Sequence, residues 1–389
     1  MKNIINYEAN IDCFMMHKNV ELNALYERHS SNYDGKPWIT VFIPTYKRFD
    51  LFKEALASVI NQKPVDFQWD ILVVDNEPYE GIPNDVEGYI RTLSDINIRY
   101  FRNAINLRPG DNFNRGIYLA RGEWVMMLHD DDLLFPNSLE KMGKAVCFLE
   151  KQGEKPLGAI AAQYYCFLHD PEQPHGNDTM FKQVGNWVLH EPMSWRFYKL
   201  THANVLFTGH PGGNIPSVGT TFKRDAVLDI GGFNDDFGIS ADLILFYCLE
   251  NKFSVYSTLE PYGFYRFGIN TMAKIESAYK TIKAGFDFRE YVYNKSIFHK
   301  VWGWLFRDSH YYYFTEAVLN QRKIVSRKFV RFSDYSSIYD KKPNNFFYKR
   351  IYKHGILSVY NKIKHWEVKR LEKRAKQEGM EREIEEYCS

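Results

Sequence analysis

The sequence predicts an α/β protein, a mixed but mostly parallel sheet flanked by helices, with a helical C-terminal extension. Three observations carry this. From Trp38 short apolar runs alternate with amphipathic segments, near Met272 that alternation stops and aromatic residues concentrate, and between Lys341 and Lys376 twelve Lys or Arg stand against two Glu. Strands alternating with helices imply parallel pairing through right-handed crossovers. The expected division is an N-terminal extension (1–36), a main α/β domain (37–272) and a helical region with a basic tail (273–389).

In chain order, "WITVFIPT" reads as a buried strand. "DLFKEALASVINQ" then places Leu51, Phe52, Ala55, Leu56, Val59 and Ile60 on one helical face, with Asp50 as its N-cap and Pro64 beyond its end. "DILVVDNE" and "NIRYF" are the next strands, "DNFNRGIYLARG" is helical, "EWVMMLH" is a strand, "PNSLEKMGKAVCFLEK" a helix and "GAIAAQYYCFL" a strand. Ligands of such sheets bind at the carboxyl ends of the strands. That rule selects Pro44 to Tyr46, Asp75 to Glu77, and the run Asp130, Asp131 and Asp132.

Composition narrows little else. The chain has 389 residues, is 45% hydrophobic and 16% aromatic, and carries a formal charge of +2. Its five cysteines are scattered without a C-x-x-C pair, which suits a reducing cytoplasm rather than a disulfide framework. No run approaches the ~20 apolar residues of a membrane-spanning helix, so membrane contact is expected to be peripheral. The basic, aromatic tail fits either an anionic membrane surface or a solvated helix. Nucleic acid is not expected as a partner, because no recognition motif accompanies the basic region. Phosphate-loop and dinucleotide-binding glycine patterns are absent.

The aspartate run at a strand end suits a hard divalent cation, Mg²⁺ or Mn²⁺, whose oxygen ligands a substrate diphosphate would complete; a solvated loop is the alternative. Context favours the cation. "VFIPTYKR", "DILVVDNE", N-x9-G-x3-A-x-GEW from Asn106 through Asn114, Gly116, Ala120 and Gly122, "LHDDDLLFP" and "GGFND…SADLILF" stand in an order that resembles the family 2 glycosyltransferases. The resemblance runs from Trp38 to about Met272. It implies a GT-A fold and an inverting, metal-dependent transfer from a nucleotide-sugar, most often a UDP-sugar, to a saccharide hydroxyl. It also implies a setting in O-antigen or capsule assembly, on a lipid-linked acceptor at the cytoplasmic face of the membrane.

Carried over by position, the resemblance gives Pro44, Thr45, Tyr46, Arg48, Asp75, Asn106, Asn114 and Asp130 to the nucleotide-sugar. It gives Asp131, with Asp132 as a lesser candidate, to the metal, and Asp242 to the general base. Asp236, Trp195 and His210 are acceptor-side candidates, with His202 and Asn214 as further possible sugar contacts. Asp242 could also be the N-cap of "LILFYCLE". There are departures: His129 replaces an aspartate and is expected to pack rather than ligate, Ala241 replaces an acid, and "NFN" at Asn112 to Asn114 lacks an arginine that Arg108 or Arg115 could replace. These departures keep open a catalytically silent binder of nucleotide-sugar or saccharide on the same fold.

Overall fold

A computed structural model describes residues 12–15, 18–168, 180–181, 195–207, 218–267, 275–326, 344 and 346–380. Its strands are β1 (Leu22–Arg28), β2 (Ile39–Thr45), β3 (Trp69–Asp75), β4 (Ile98–Asn103), β5 (Trp124–Met127), β6 (Leu133–Leu134), β7 (Leu157–Leu168), β8 (Met180–Phe181), β9 (Phe197–Leu200), β10 (Thr220–Lys223) and β11 (Ser254–Phe267). The α-helices are α1 (Phe49–Ile60), α2 (Asp85–Thr92), α3 (Pro109–Leu119), α4 (Ser138–Leu149), α5 (His202–Phe207), α6 (Arg224–Asp229), α7 (Ala241–Lys252), α8 (Ile275–Tyr293), α9 (Ile297–Ser326) and α10 (Leu357–Gln377).

The strands form one sheet in the order β1-β4-β3-β2-β5-β10-β7-β11-β6. β4, β3, β2 and β5 are mutually parallel, as the alternation predicts. β10 then enters antiparallel between β5 and β7, and β1 closes the other edge antiparallel to β4. β2 is fully buried, as expected of a strand covered on both faces. The chain builds outward from β2 to β3 and β4 and then returns past β2 to place β5 on its other side, and the switch point between β2 and β5 is where α/β sheets bind ligands.

Local chemistry decides the details. α1 begins at Phe49, so Asp50 lies in its first turn and pairs with Lys53 at 3.0 Å rather than capping it. The glycines of the "G-x3-A-x-G" pattern mark close approaches: a Cβ on Gly116 would sit 2.1 Å from the Phe42 ring, and one on Gly122 would sit 2.5 Å from the Thr40 backbone nitrogen. At the amino ends of the strands Arg99 and Asp70 form a buried ion pair at 3.0 Å, with Thr40 donating to Asp70 at 2.6 Å and the Gly122 amide donating to Thr40. Charge at that end is balanced and hydrogen-bonded, the condition a buried pair requires.

Helices beyond the boundary expected near residue 272 pack against the elements before it. α8 and α9 share a hydrophobic cluster with Val205, Leu206, Ile244 and Tyr247. Leu371 and Ala375 of α10 join the cluster that contains Ile39, Val41 and Trp124. Part of the expected N-terminal extension likewise becomes β1.

Gly116→Ala is expected to destabilise the fold by about 1–3 kcal/mol, because overpacking against Phe42 outweighs alanine's helix propensity of about 1 kcal/mol. Chemical denaturation would check it, and a stabilised variant would show that Phe42 has room to move.

Candidate functional site

The carboxyl ends of β2 and β5 meet at the switch point. Thr45 Oγ1 donates to Asp130 Oδ2 at 2.9 Å, the Tyr46 amide donates to the same oxygen at 3.3 Å, and Arg48 Nη1 donates to Asp131 Oδ2 at 2.8 Å and Asp130 Oδ1 at 3.4 Å. Between Tyr46 and Arg48, Lys47 has a left-handed φ of 54°. That conformation costs a non-glycine residue about 1–3 kcal/mol, and such strain persists where surrounding contacts hold it. Pro44 is buried within β2, whereas Tyr46 is exposed.

Asp130, Asp131 and Asp132 are 6%, 4% and 0% exposed, so three adjacent carboxylates are withdrawn from water together. Burial and repulsion from Asp131 push Asp130 up to about 6, against the pull of Arg48. Burial, again reinforced by Asp131, raises Asp132 well above the usual carboxylate range. Asp132 Oδ1 accepts the Arg266 amide at 2.9 Å, but its buried Oδ2 has no hydrogen-bond partner among the described residues. The buried guanidinium of Arg266 donates to the Asp131 carbonyl at 2.9 Å and to Glu54, so it braces the loop through the backbone.

One ligand atom each from His129, Asp131 and Asp132 lies within 4.8 Å of the others. Two carboxylates and an imidazole, with one buried oxygen lacking a partner, fit a divalent cation such as Mn²⁺ or Mg²⁺. His129 therefore belongs with the candidate ligands as well as with the packing expected of it, for its ring also stacks on Phe113 at 5.4 Å. Burial holds its pKa below the usual value, which favours the neutral imidazole that a metal needs.

The remaining residues of the motif assemble the walls. Asn114 donates to the Phe233 carbonyl and accepts the Phe233 amide, both at 2.7 Å, which clamps α3 to the "GGF" turn. Asp235 accepts the Gly110 and Asp111 amides at the start of α3. Asn112 accepts from Asn103 at 2.8 Å, within an amide network through Asn76, which donates to Asn106 Oδ1 and the Leu107 carbonyl. Asp75 is 1% exposed, and its oxygens accept from Asn84, Tyr100 and the Glu77 amide. As placed, Asp75 is a buried anchor of the loop after β3, and burial raises its pKa.

Asp242 lies in the first turn of α7 after the N-cap position Ser240, and it accepts the Leu243 amide at 2.7 Å. It is solvent-exposed, yet the mass of protein around it withdraws enough water to push its carboxyl up to about 6. A ring ladder from His129 through Phe113 to Phe233, with Phe113 and Phe233 edge to face at 5.5 Å, links the aspartate cluster to the turn that leads into α7. α8 packs against the segment Asp235–Ser240 that precedes Asp242.

Several expectations change. Trp195 is 4% exposed and packs in the core near Phe197, so it offers no platform for a sugar. His202 stacks on Tyr247 and pairs with Glu250 at 2.8 Å. Arg115 donates to the Val20 carbonyl and Arg108 pairs with Asp111 and with the exposed Asp236, so neither stands at the aspartates. His210 and Asn214 lie outside the described residues. Sequence reasoning missed Arg266, Glu54 and the ligand geometry of His129; the adjacency of His129 to the aspartate run was the only sequence signal for any of them.

The sequence profile described as Glycosyl transferase family 2 matches residues 40–210. WcaA of Escherichia coli (strain K12), named for colanic acid biosynthesis glycosyl transfer, is 28% identical over 172 residues, 42% of this chain and 59% of that protein. The GalNAc(5)-diNAcBac-PP-undecaprenol beta-1,3-glucosyltransferase of Campylobacter jejuni is 30% identical over 130 residues, 30% of this chain and 40% of that protein. The chain thus spans less than two thirds of these curated relatives. The crystal structure of S. aureus TarS 1-349 with UDP-GlcNAc is 15% identical, with a TM-score of 0.46 over 80% of this chain and 78% of that one.

Asp131→Asn is expected to weaken Mn²⁺ binding by at least about 10–100-fold, a loss already seen when outer partners of metal ligands are removed. Calorimetric titration of Mn²⁺ into the two proteins reads this directly; equal affinities would place the cation elsewhere.

Proposed function

From the match of residues 40–210 to the Glycosyl transferase family 2 profile, we propose that the protein moves a sugar from a nucleotide-sugar, a UDP-sugar, to a hydroxyl of a saccharide acceptor with inversion. The observation that carries the reading is the buried aspartate cluster at the β2/β5 switch point, where Asp132 Oδ2 has no partner among the described residues and Arg48 is bonded to Asp131. A polysaccharide setting is supported by the name of one relative, and a lipid-linked acceptor by the undecaprenol-linked substrate in the name of another.

In this mechanism Thr45, the Tyr46 backbone and Asp130 hold the nucleoside end of the donor, beside the exposed ring of Tyr46. His129, Asp131 and Asp132 would hold a divalent cation, whose charge would offset the negative charge on the departing diphosphate. Arg48 exchanges its carboxylates for phosphate oxygens, a substitution suited to its planar donors. The first turn of α1, which has no side-chain cap, adds the positive end of a helix dipole beside it. Asp242 takes the proton of the acceptor hydroxyl as that oxygen attacks the anomeric carbon, and Asp236, exposed on the adjoining turn, contacts the acceptor. Asp75 and Asn106 support the base-binding loop from behind.

Asp242→Asn is expected to lower the transfer rate by ~10²–10⁴-fold, the usual contribution of a general base, while nucleotide affinity stays unchanged. Product formation and UDP titration on the same preparation separate the two effects. Unaltered turnover would leave the base unassigned, and no turnover in the wild type with intact UDP binding would favour a silent binder.

Because Asp242 must be ionised to accept a proton and its carboxyl sits at about 6, kcat/KM should rise with pH through an acidic limb near that value and then level off. A profile flat from pH 5 to 8, measured at about 1-unit intervals, would remove Asp242 from the rate equation.

A further inference from the structure

We propose that the first turns of α9 and the outer face of α10 form one docking surface that seats the protein on an anionic lipid bilayer. This gives a physical site to the membrane contact in the functional reading above, and it rests on that reading for its purpose only.

α9 exposes Ile297, Phe298, Val301, Trp304 and Leu305, spaced i, i+1, i+4, i+7 and i+8, which is one side of a helix. Ile297 is 82% and Trp304 81% exposed. α10 exposes Val359, Ile363 and Trp366 at i, i+4 and i+7. The half-buried Trp302 bridges the two stripes. An apolar groove of about 480 Å³ is lined by Trp302 of α9 and by Val359 and Ile363 of α10, and the Phe298 ring lies 6.0 Å from that of Trp302. A contiguous exposed apolar surface of this kind marks an interaction site.

Charge selects the occupant. From Phe346 to Gln377 the chain has ten Lys or Arg against two Glu. Lys362 and Lys369 flank the α10 stripe, and Arg370, exposed, stands 5.6 Å over the Trp366 ring. A second copy meeting the same face would bring like charges together, which costs affinity. Nucleic acid would satisfy the cations and leave the aliphatic and aromatic side chains wet. An anionic bilayer satisfies both, with tryptophan at the headgroup level and Lys and Arg at phosphate. No described helix is long and apolar enough to cross a membrane, so the helices lie in the interface plane.

The test is flotation of the full chain with phosphatidylcholine vesicles with and without phosphatidylglycerol, at low and high salt. The wild type should float with the anionic vesicles and lose binding as salt screens the charges. Trp304→Ser with Trp366→Ser should bind at least about tenfold more weakly, and Lys362→Glu with Lys369→Glu should bind weakly at low salt too. Both variants should melt like the wild type and keep UDP binding. A folded wild type that ignores anionic vesicles overturns the proposal. So does a wild-type dimer in sedimentation velocity that the tryptophan variant abolishes, because that makes a second copy the occupant. Vesicle binding by a protein without transferase activity would sink the functional reading and leave the surface standing.

Discussion

Three consecutive carboxylates held out of water at the end of β5 are the constraint around which the rest is organised. Like charges so close cannot all ionise cheaply without a cation. The protein supplies Arg48 to Asp131 and Asp130, the Arg266 amide to Asp132, and nothing described to Asp132 Oδ2. The contrast with the opposite end of the sheet is instructive. There Asp70 is equally buried, yet Arg99 and Thr40 satisfy it completely. One end is satisfied as it stands, and the other leaves Asp132 Oδ2 without a partner among the described residues.

Much of the motif that looks functional turns out to hold that incomplete site in shape. Asn114 clamps α3 to the turn after α6, Asp235 caps α3 from across the cleft, and Asn76, Asn103 and Asn112 knit the loops after β3 and β4. Preorganised amides of this kind cost nothing to reorient when charge develops. The helical region takes part as well: α8 buttresses the segment leading into Asp242, while α10 sends Leu371 and Ala375 into the main core. α9, which carries part of the exposed apolar surface, packs on α8 and so is linked through it to the segment that precedes Asp242.

The sheet was legible because periodicity reports burial directly: the continuous apolar runs became β2 to β5, and the i, i+3, i+4 pattern became α1. The placement of the aspartates was legible for the same reason, since the ends of parallel strands follow from where the apolar runs stop. β1 was not, because an edge strand in which no residue is fully buried carries a weak signal. The burial of Asp75 and Trp195 was not legible, because residue type says nothing about which way a side chain turns. An aspartate at a strand end can bind a ligand or be consumed by Tyr100 and Asn84.

By itself the sequence determined the fold class, the strand ends and the three carboxylates placed at one of them, since these follow from hydrophobic period and from short-range order along one strand. Only the tertiary structure decided that Arg48 answers Asp131, that Arg266 arrives from β11 to brace the loop, and that His129 turns its ring toward the same centre. Arg48 and Asp131 are 83 residues apart in the chain, and Arg266 and Asp131 are 135 apart. Contacts at such separations depend on strand order, and strand order is a property of the whole sheet rather than of any segment of it.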